Sequence, residues 1–370
     1  MANKKARVIA FYLPQYHPTP ENDKFWGKGF TEWTNVAKAK PLFKGHYQPR
    51  IPADLGFYDL RLPQVREAQA EMAREAGVEG FMYWHYWFGN GKMLLEKPFE
   101  EVLASGKPDF PFCLGWANHD WSTKTWKDQN GMSLGVQMIA EQTYPGIEDD
   151  VLHFNYCLPA FKDKRYITVD GKPVFFIFAP NSHPYMSDFI QTWRRLAEEA
   201  GLKGIHFIGN CRGRNNLPEE IMKYGFDAVV ANHMYQAEAA AMGAVWKRRL
   251  NTLLSWHLGG LVLNKLDYAK VMAGMIQEED KKENFYPTII PGYDRTPRAG
   301  RAANIYDKAT PEAFKKHVHE AIEAVKDKDE EHKVVILKSW NEWGEGNYME
   351  PDLKYGHAFL NALADEVFEK

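Results

Sequence analysis

The sequence predicts an α/β fold, a single (β/α)8 TIM barrel with long loops after strands 1, 3 and 6. Short apolar runs rich in Val, Ile and Phe alternate with stretches whose apolar residues recur every three or four positions. Continuous apolar strands separated by helices indicate parallel strands that are covered by helices. Eight such runs match a closed barrel better than an open sheet. A doubly wound sheet remains the alternative, although no glycine-rich phosphate loop follows the first run.

The predicted elements follow one another without an internal repeat or a linker. The strands are expected at residues 7–12, 80–84, 111–116, 173–178, 205–209, 228–231, 286–291 and 334–338. The clearest helical patterns cover residues 62–76, 93–105, 187–200, 266–277 and 311–325. The long connections are 13–61, 117–146 and 233–265. Because loops after strands form the active-site face of such a barrel, we expect them to shape a substrate cleft in one catalytic domain, residues 1–370.

The charge balance excludes several classes of protein. The 370 residues contain 46 Lys and Arg against 49 Asp and Glu, a formal charge of −3. This balance lacks the basic excess that neutralises phosphates, so we expect no nucleic acid partner. No apolar run approaches the roughly 20 residues of a membrane span. The first residues lack a secretory signal, which predicts a cytoplasmic protein, and nothing in the sequence indicates an oligomeric state.

Cysteine and histidine positions predict neither a metal site nor a cofactor. Cys113, Cys157 and Cys211 lie far apart without a CxxC pair, which argues against a disulfide framework or a structural zinc site. The histidines near predicted strand ends form no HExxH motif, although a zinc site assembled from separate loops remains an alternative. Metal-free chemistry by carboxylates is therefore the favoured interpretation.

Aromatic residues cluster at one predicted rim of the barrel. Nine of the 12 tryptophans fall at the C-terminal end of a predicted strand or in the loop that follows it: Trp26, Trp33, Trp84, Trp87, Trp116, Trp121, Trp126, Trp340 and Trp343. Indole rings stack on the apolar faces of sugar rings and keep an N–H group for a hydrogen bond. Packing of the long loops onto the barrel is the alternative role. The cluster as a whole favours a carbohydrate cleft over nucleic acid, which would need accompanying Lys and Arg.

Polar side chains interleave with these rings and could supply directional hydrogen bonds to a saccharide. The predicted substrate-binding residues are Tyr12, Glu32, Trp33, Tyr83, Trp84, His85, Trp87, Trp116, Asn118, His233, Tyr235, Tyr293, Trp340, Asn341, Trp343 and Glu350.

Two glutamates after the last predicted strand are the best catalytic candidates. Glu342 and Glu345 stand three residues apart among tryptophans and glycines, at the strand end where such barrels carry catalytic residues. Bulky apolar neighbours raise the pKa of a carboxyl so that it can act as an acid, while a more solvated partner stays ionised. The alternative is that both glutamates pair with Arg295 or Arg298 and hold the loop.

Two other acidic residues have less certain roles. Glu32 lies within the long first loop, where it could contact substrate or cap its own loop. Asp294 follows the seventh predicted strand, and a salt bridge with Arg295 or Arg298 is its favoured role.

Several sequence blocks resemble the WbsX-like domain family, whose members often carry a glycosyltransferase label in polysaccharide gene clusters. The blocks cover residues 10–17 (AFYLPQYH), 29–36, 46–56 (HYQPRIPADLG), 83–87 (YWHYW), 291–298 and 340–346. They span nearly the whole chain. That family is in turn similar to glycoside hydrolase family 99, endo-acting α-mannosidases on a (β/α)8 barrel with two glutamates in an E-W-x-E-G motif. Residues 342–346 (EWGEG) match that motif position for position.

The resemblance implies a mechanism in which Glu345 protonates the glycosidic oxygen as general acid. Glu342 would remove the proton of the sugar 2-hydroxyl, which attacks the anomeric carbon to give a 1,2-anhydro intermediate that water opens with retention. The expected activity is thus an endo-acting glycoside hydrolase on an oligo- or polysaccharide. A sugar-nucleotide-dependent glycosyltransferase is the first alternative, and a carbohydrate-binding protein without activity is the second.

Overall fold

The computed structural model describes residues 3–123, 135, 137–211, 217–257 and 263–369. Trp126, one of the nine predicted rim tryptophans, lies outside these residues. Among the described residues, no helix combines the length and apolar character that crossing a bilayer requires. The assignment of all residues to one catalytic domain and the cytoplasmic location stay predictions.

Eight parallel strands form the barrel that the sequence predicts. They are β1 (Arg7–Tyr12), β2 (Val78–Trp87), β3 (Phe112–Trp116), β4 (Lys172–Ile177), β5 (His206–Cys211), β6 (Ala228–Ala231), β7 (Thr288–Ile289) and β8 (Val334–Leu337). Consecutive strands pair in order from β1 to β6, and β7 pairs with β8, which pairs in parallel with β1. The last gap is bridged between Val229 of β6 and Phe285 just before β7. The barrel fold is confirmed.

Thirteen helices surround or cap the barrel. They are α1 (Pro20–Trp26), α2 (Glu32–Lys38), α3 (Pro63–Glu75), α4 (Lys97–Ser105), α5 (Ile147–Phe161), α6 (Met186–Glu199), α7 (Pro218–Met222), α8 (Met234–Ala241), α9 (Val245–His257), α10 (Tyr268–Met272), α11 (Thr296–Ala299), α12 (Pro311–Val325) and α13 (Ala358–Val367). This count covers the described residues. Short 3-10 turns lie at Pro180–Ser182, Glu278–Lys281, Gly300–Ala302, Glu330–His332 and Trp343–Glu345.

Short strands decorate the loops. Met93–Leu94 pairs with β2 and Thr168–Val169 with β4, both antiparallel. Three separate two-stranded ribbons join Trp121–Ser122 to Met138–Ala140, Asn264–Asp267 to Asn304–Asp307, and Asn341–Glu342 to Asn347–Tyr348. The last ribbon carries one of the candidate catalytic glutamates.

Two predicted helices begin or end differently in the structure. The helix expected at 93–105 starts only at Lys97, because residues 93–94 form a strand against β2 and Pro98 favours the first turn of a helix. The stretch 266–277 splits into the end of a strand and the short helix α10, where the Asp267 side chain caps the amide of Lys270. Both stretches are apolar enough for either element, so periodicity did not separate them.

The long first loop contains two helices that the periodicity did not reveal. In α1, the Thr19 hydroxyl accepts a hydrogen bond from the amide of Asn22, and Pro20 occupies the first turn. Helix α2 begins at Glu32 and buries one face against the barrel top. The first loop is therefore a structured cap over the carboxyl ends of the strands.

The chain ends meet at the amino-terminal face of the barrel. The amide of Lys5, two residues before β1, donates to the carbonyl of Val367 at the end of α13. The amide of Glu369 donates to the carbonyl of Asn3. Both termini thus lie opposite the carboxyl ends of the strands.

Candidate active site

A cleft of about 380 Å³ opens at the carboxyl ends of the barrel strands. Its aromatic lining consists of Trp84, Tyr86, Trp121, Phe178 and Tyr293. Its charged lining consists of Arg295, Arg298, Lys338, Glu342 and Glu345. The residues come from the segments after β1, β2, β3, β4, β7 and β8, as expected for a barrel whose loops build the site.

The loop after β8 fixes both glutamates by backbone geometry. Glu342 ends one strand of a short ribbon, and its neighbour Asn341 pairs with Tyr348. A 3-10 turn then carries the chain to Glu345, and Gly346 follows at a φ of +59°, a conformation that favours glycine. The glutamate side chains are each 13% exposed, so both reach the cleft while being largely desolvated.

Arg298 connects the two candidate catalytic glutamates. Its Nη1 donates to Glu342 Oε1 at 3.1 Å and to Glu345 Oε1 at 2.9 Å. Arg295 Nε lies 3.1 Å from Glu345 Oε1. The pairing of the glutamates with these arginines, foreseen as an alternative to catalysis, is thus present in the site, and it coexists with exposure of both carboxylates to the cleft.

Glu32 lies on the opposite side of the same guanidinium. Arg298 Nε and Nη2 each lie 3.0 Å from Glu32 Oε2, and the Glu32 side chain is 0% exposed. Gly344 leaves the space that this carboxylate occupies, since a Cβ there would lie 1.8 Å from Glu32 Oε2. Glu32 therefore neither caps its own loop nor lines the cleft, and it reaches the site through Arg298.

The two glutamates have opposite electrostatic environments. Desolvation, reinforced by the charge of Glu345, raises the pKa of Glu342 above its ordinary value. For Glu345, desolvation is outweighed by Arg295 and Arg298, which lower the pKa to about 2. Desolvation also raises the pKa of Glu32, although Arg298 opposes it. Glu345 is therefore the more readily ionised of the two carboxyls, and Glu342 the one that more readily holds a proton.

Asp294 does not form the predicted salt bridge with Arg295 or Arg298. Its Oδ2 instead accepts from Gln48 Nε2 at 2.7 Å and lies 2.8 Å from His46 Nε2, with Arg50 at 3.7 Å. These contacts outweigh desolvation and lower the pKa of Asp294 to about 2. The Asp294 amide also donates to the carbonyl of Glu345 at 2.6 Å, so this residue holds the loop that carries the two glutamates.

Four predicted site residues lie together in the cleft: Trp84, Tyr293, Glu342 and Glu345. Trp84 stacks on Phe11 with ring centroids 4.4 Å apart, which leaves its other side toward the cleft. Tyr293 packs against Tyr306 at 5.1 Å, and Lys338 Nζ lies 5.5 Å from the centroid of its ring.

A second group of predicted site residues forms a buried layer beneath the loop that carries Glu342 and Glu345. It contains Trp33, Trp340, Asn341, Trp343 and Glu350, all less than 9% exposed. Trp343 stacks on Tyr348 and donates to Glu350 Oε2 at 2.6 Å. Burial raises the pKa of Glu350 to about 7 although three side chains donate to it. These side chains pack the loops onto the barrel and do not line the cleft, and their contact with substrate stays a prediction.

A third group points away from the barrel axis toward the helices. Tyr12 donates to Gln69 of α3, and Tyr83 packs against Phe99 of α4. His85, Trp87 and Trp116 surround His153 of α5. Side chains alternate across a strand, so Tyr83, His85 and Trp87 face the helices while Trp84 and Tyr86 face the cleft. The cleft lining therefore does not include Tyr12, Tyr83, His85, Trp87 or Trp116.

The remaining predicted site residues lie elsewhere on the same face. Asn118 is completely buried, and its amide group exchanges two hydrogen bonds with the backbone of Ala179. His233 Nε2 lies 3.4 Å from Asp280 Oδ2. The ring of Tyr235 covers the guanidinium of Arg248 at 4.0 Å. None of the three lines the cleft formed by the described residues.

One group of potential metal ligands occurs among the described residues. His85, His153 and Cys157 place their donor atoms within 4.8 Å of one another. The two Nε2 atoms are 2.8 Å apart, and burial lowers the pKa of both histidines, so they form a neutral hydrogen-bonded pair. This group lies between β2 and α5 and takes no part in the cleft.

Several residues that line the cleft were missing from the predicted site. Gln15, Arg298 and Lys338 are three of them. Lys338 was placed at the end of the eighth predicted strand, and the carboxyl ends of barrel strands face the site, so its position could have indicated it. Gln15 belongs to a block that carries the family resemblance, whereas nothing local to Arg298 indicated three carboxylate partners.

The fold and the site define the class of this protein: a (β/α)8 barrel with paired glutamates at the carboxyl ends of its strands. Residues 8–363 match the family model described as Glycosyltransferase WbsX, so the chain belongs to that family. A curated protein of Xanthomonas campestris pv. campestris, described as Uncharacterized protein WxcX, is 34% identical over 358 residues. Those residues cover 96% of this chain and 49% of the relative, so the chain spans about half the length of the curated relative it matches.

Solved structures share the fold at low sequence identity. A chain described as a glycoside hydrolase-like protein superposes with a TM-score of 0.59 at 15% identity, covering 100% of this chain and 96% of that one. The family 99 endo-alpha-mannosidase from Bacteroides thetaiotaomicron, in complex with bis-tris propane, gives a TM-score of 0.57 at 16% identity, covering 98% and 96%. Family and fold together relate this chain to carbohydrate-active enzymes.

Proposed function

We propose that the protein is an endo-acting, retaining glycoside hydrolase that cleaves within an oligo- or polysaccharide, with an α-mannoside as the first candidate substrate. The observation that carries this proposal is the Glu342 and Glu345 pair, which shares one guanidinium group in a cleft lined by aromatic rings. Two carboxylates whose pKa values are pushed apart can serve as acid and base in one reaction. Trp84 and Trp121 offer the ring faces on which sugars stack.

The proposed chemistry is the one implied by the family 99 resemblance. The base removes the 2-hydroxyl proton, the 2-oxygen attacks the anomeric carbon, and the acid protonates the departing glycosidic oxygen. Water then opens the 1,2-anhydro ring with overall retention. This route differs from direct attack by a carboxylate, the usual retaining scheme.

Either Glu345 or Glu342 could be the general acid. The resemblance assigns Glu345, whereas the charges of the free site favour the proton on Glu342. With Glu345 as the acid, saccharide binding has to loosen its contacts with Arg295 and Arg298 so that it can take up a proton. Loss of the acid slows cleavage of poor leaving groups far more than cleavage of good ones, so substrate reactivity separates the two assignments.

The test compares Glu345→Gln and Glu342→Gln on unactivated manno-oligosaccharides and on aryl glycosides with good leaving groups. The variant that lacks the acid should lose about 100-fold or more on the first and much less on the second. Glu330→Gln, a change at an 82% exposed carboxylate, is the matched control. NMR of the first-formed anomer reports retention. Undiminished hydrolysis in both variants would remove the pair from the mechanism.

A sugar-nucleotide-dependent glycosyltransferase is the second candidate, and the family description favours it. Many such enzymes hold a metal on an Asp-x-Asp motif, and this chain has one such triplet, residues 327–329. It lies between α12 and β8, at the amino end of a barrel strand, on the face opposite the cleft. Calorimetry with a panel of nucleotide sugars decides between the candidates, since a transferase must bind a donor.

A further inference from the structure

Two residues of the cleft carry donors that pair with neither glutamate in the described part of the chain, although the charge of Lys338 acts to lower the pKa of both. Lys338 Nζ lies within 4.0 Å of no carboxylate in the described part of the chain, although Lys338 lines the cleft. Gln15 lines the cleft as well, and its Nε2 is buried without a hydrogen-bond acceptor among the described residues. A buried donor without a partner costs free energy unless a ligand satisfies it. These two groups are therefore available to a ligand.

The formal charges in and around the cleft balance. Three cations, Arg295, Arg298 and Lys338, face three carboxylates, those of Glu32, Glu342 and Glu345. Desolvation raises the pKa of Glu342 and of Glu32, so these two carboxyls release a proton less readily than a solvated glutamate.

Lys338 is the cation of the cleft that has no carboxylate within 4.0 Å among the described residues. Arg298 is held by three carboxylates and Arg295 by Glu345, whereas the Lys338 Nζ atom lies 5.5 Å from the centroid of the Tyr293 ring. A strand-end position fixes its stem, because the Lys338 amide donates to the carbonyl of Ile289 at 3.0 Å. The ammonium group thus stands in the cleft beside a ring on which a sugar can stack.

We propose that the cleft binds a saccharide bearing a singly charged anionic substituent, a uronic acid carboxylate or a sulfate ester, with Lys338 as its counterion. This inference rests on the proposed function and narrows its substrate class. The small net charge of the whole chain does not oppose it, because the cations are concentrated locally. Gln15 Nε2 supplies a neutral donor to the same ligand.

A matched pair of small ligands tests the charge preference without requiring turnover. Methyl α-D-mannopyranosiduronate and methyl α-D-mannopyranoside differ only in a carboxylate against a hydroxymethyl group, and methyl α-D-mannopyranoside 6-sulfate tests the ester. Ligand-observed NMR titrations at low salt should give a Kd at least about tenfold lower for one anionic glycoside than for the neutral one. The preference should shrink as salt is raised.

Substitution of Lys338 tests whether this residue causes the preference for anionic glycosides. Lys338→Gln should reduce the preference to about threefold or less, and Lys338→Arg should retain most of it because the charge remains. Lys316→Gln removes the same charge from a 76% exposed position on α12 and should keep the wild-type preference. If a Lys338 variant fails to fold, the Kd values of the wild-type protein for the anionic and neutral glycosides still test the charge preference.

The outcomes separate this inference from the proposed function. Equal affinities for the three glycosides, or a preference that survives Lys338→Gln, overturn the anionic substrate. If the anionic preference is found while neither glutamate variant alters any hydrolysis, the substrate class stands and the proposed chemistry fails. Hydrolysis that depends on Glu345 without an anionic preference leaves the function and removes the inference.

Discussion

Arg298 is the residue on which the electrostatics of the site depend. Its side chain is 11% exposed and contacts Glu32 in the first loop as well as Glu342 and Glu345 in the loop after β8. These two loops are far apart in sequence. Such a group can balance the desolvation cost of the carboxylates only while all partners are present. Its removal leaves negative charges facing one another in a poorly solvated space.

We predict that Arg298→Gln lowers the free energy of unfolding by about 3 to 5 kcal/mol, because it leaves buried carboxylates uncompensated. The double variant Glu32→Gln with Arg298→Gln should recover part of this loss, since one of those charges is removed too. Urea unfolding at pH 7 measures both. Arg195→Gln, at a 56% exposed surface pair, is the control. Wild-type stability in the single variant would contradict the central role of Arg298.

A second residue-scale prediction concerns Glu350, whose pKa is raised to about 7 by burial. A carboxyl whose folded pKa exceeds its unfolded value favours folding below the unfolded pKa and loses that contribution as pH rises through the folded pKa. From about pH 4.5 to 7, Glu350 should therefore lower the free energy of unfolding by about 3 kcal/mol. Glu350→Gln should remove this slope.

Urea unfolding at several pH values in this window gives the slope of each protein. Glu330→Gln should retain the wild-type slope, because that carboxylate is 82% exposed. A Glu350→Gln variant with the same slope as the wild type would show that Glu350 titrates near its ordinary pKa.

At the scale of elements, the barrel strands were predictable, whereas most of the cleft lining was not. Runs such as 228–231 and 334–337 are continuously apolar because both faces of a parallel strand are covered, and this pattern needs no tertiary information. The aromatic residues in 83–87 lie at the end of β2, and alternation along that strand sends Tyr83, His85 and Trp87 outward. Alternation along the strand therefore decides which of these side chains face the cleft, and closeness to the strand end alone does not.

The contacts that tie loops to one another could not be read from the sequence. The partners of Arg298 depend on how α2, α11 and the turn after β8 pack together. Likewise, Asp294 finds His46 and Gln48 across the loop rather than the arginines next to it in sequence. Long-range pairing of this kind depends on the fold, whereas sequence neighbours suggest only local partners.

The turn Trp343–Glu345 leads to a prediction about packing between elements. Gly344→Ala would place a methyl group 1.8 Å from Glu32 Oε2, so either the turn or α2 must move. We expect a loss of at least about 2 kcal/mol by urea unfolding, with reduced glycoside binding, because the Arg298 contacts are displaced.

Gly106→Ala is the comparison for this variant. It has open space around its Cβ position and a φ of +71° at the end of α4, so its cost should be about 1 kcal/mol from backbone conformation alone. Equal costs for the two substitutions would mean that the clash at Gly344 is relieved without displacing Glu32.

At the scale of the molecule, the barrel has one weak seam. Between β6 and β7, the described backbone pairing is one bridge formed by two hydrogen bonds, Val229 to Asn284 and Tyr286 to Val229, each 2.9 Å. Strand β1, in contrast, pairs along its length with both β2 and β8. Opening of the barrel should therefore begin at the seam.

Native-state hydrogen exchange tests the location of this seam. The amide of Tyr286 should exchange at least about tenfold faster than those of Ile9 and Ala10, because local opening breaks few hydrogen bonds there. The three amides belong to the same fold, so Ile9 and Ala10 serve as internal controls. Uniform protection around the barrel would mean that the sheet opens only as a whole.

The pairing of the chain ends has a consequence for architecture. Lys5 and Val367 are joined by a backbone hydrogen bond on the face opposite the cleft. A neighbouring module fused to either end would attach on that side and leave the cleft unobstructed. The same proximity makes the fold suited to circular permutation, in which joining the ends by a short linker and cutting an outer loop should preserve the glutamate pair.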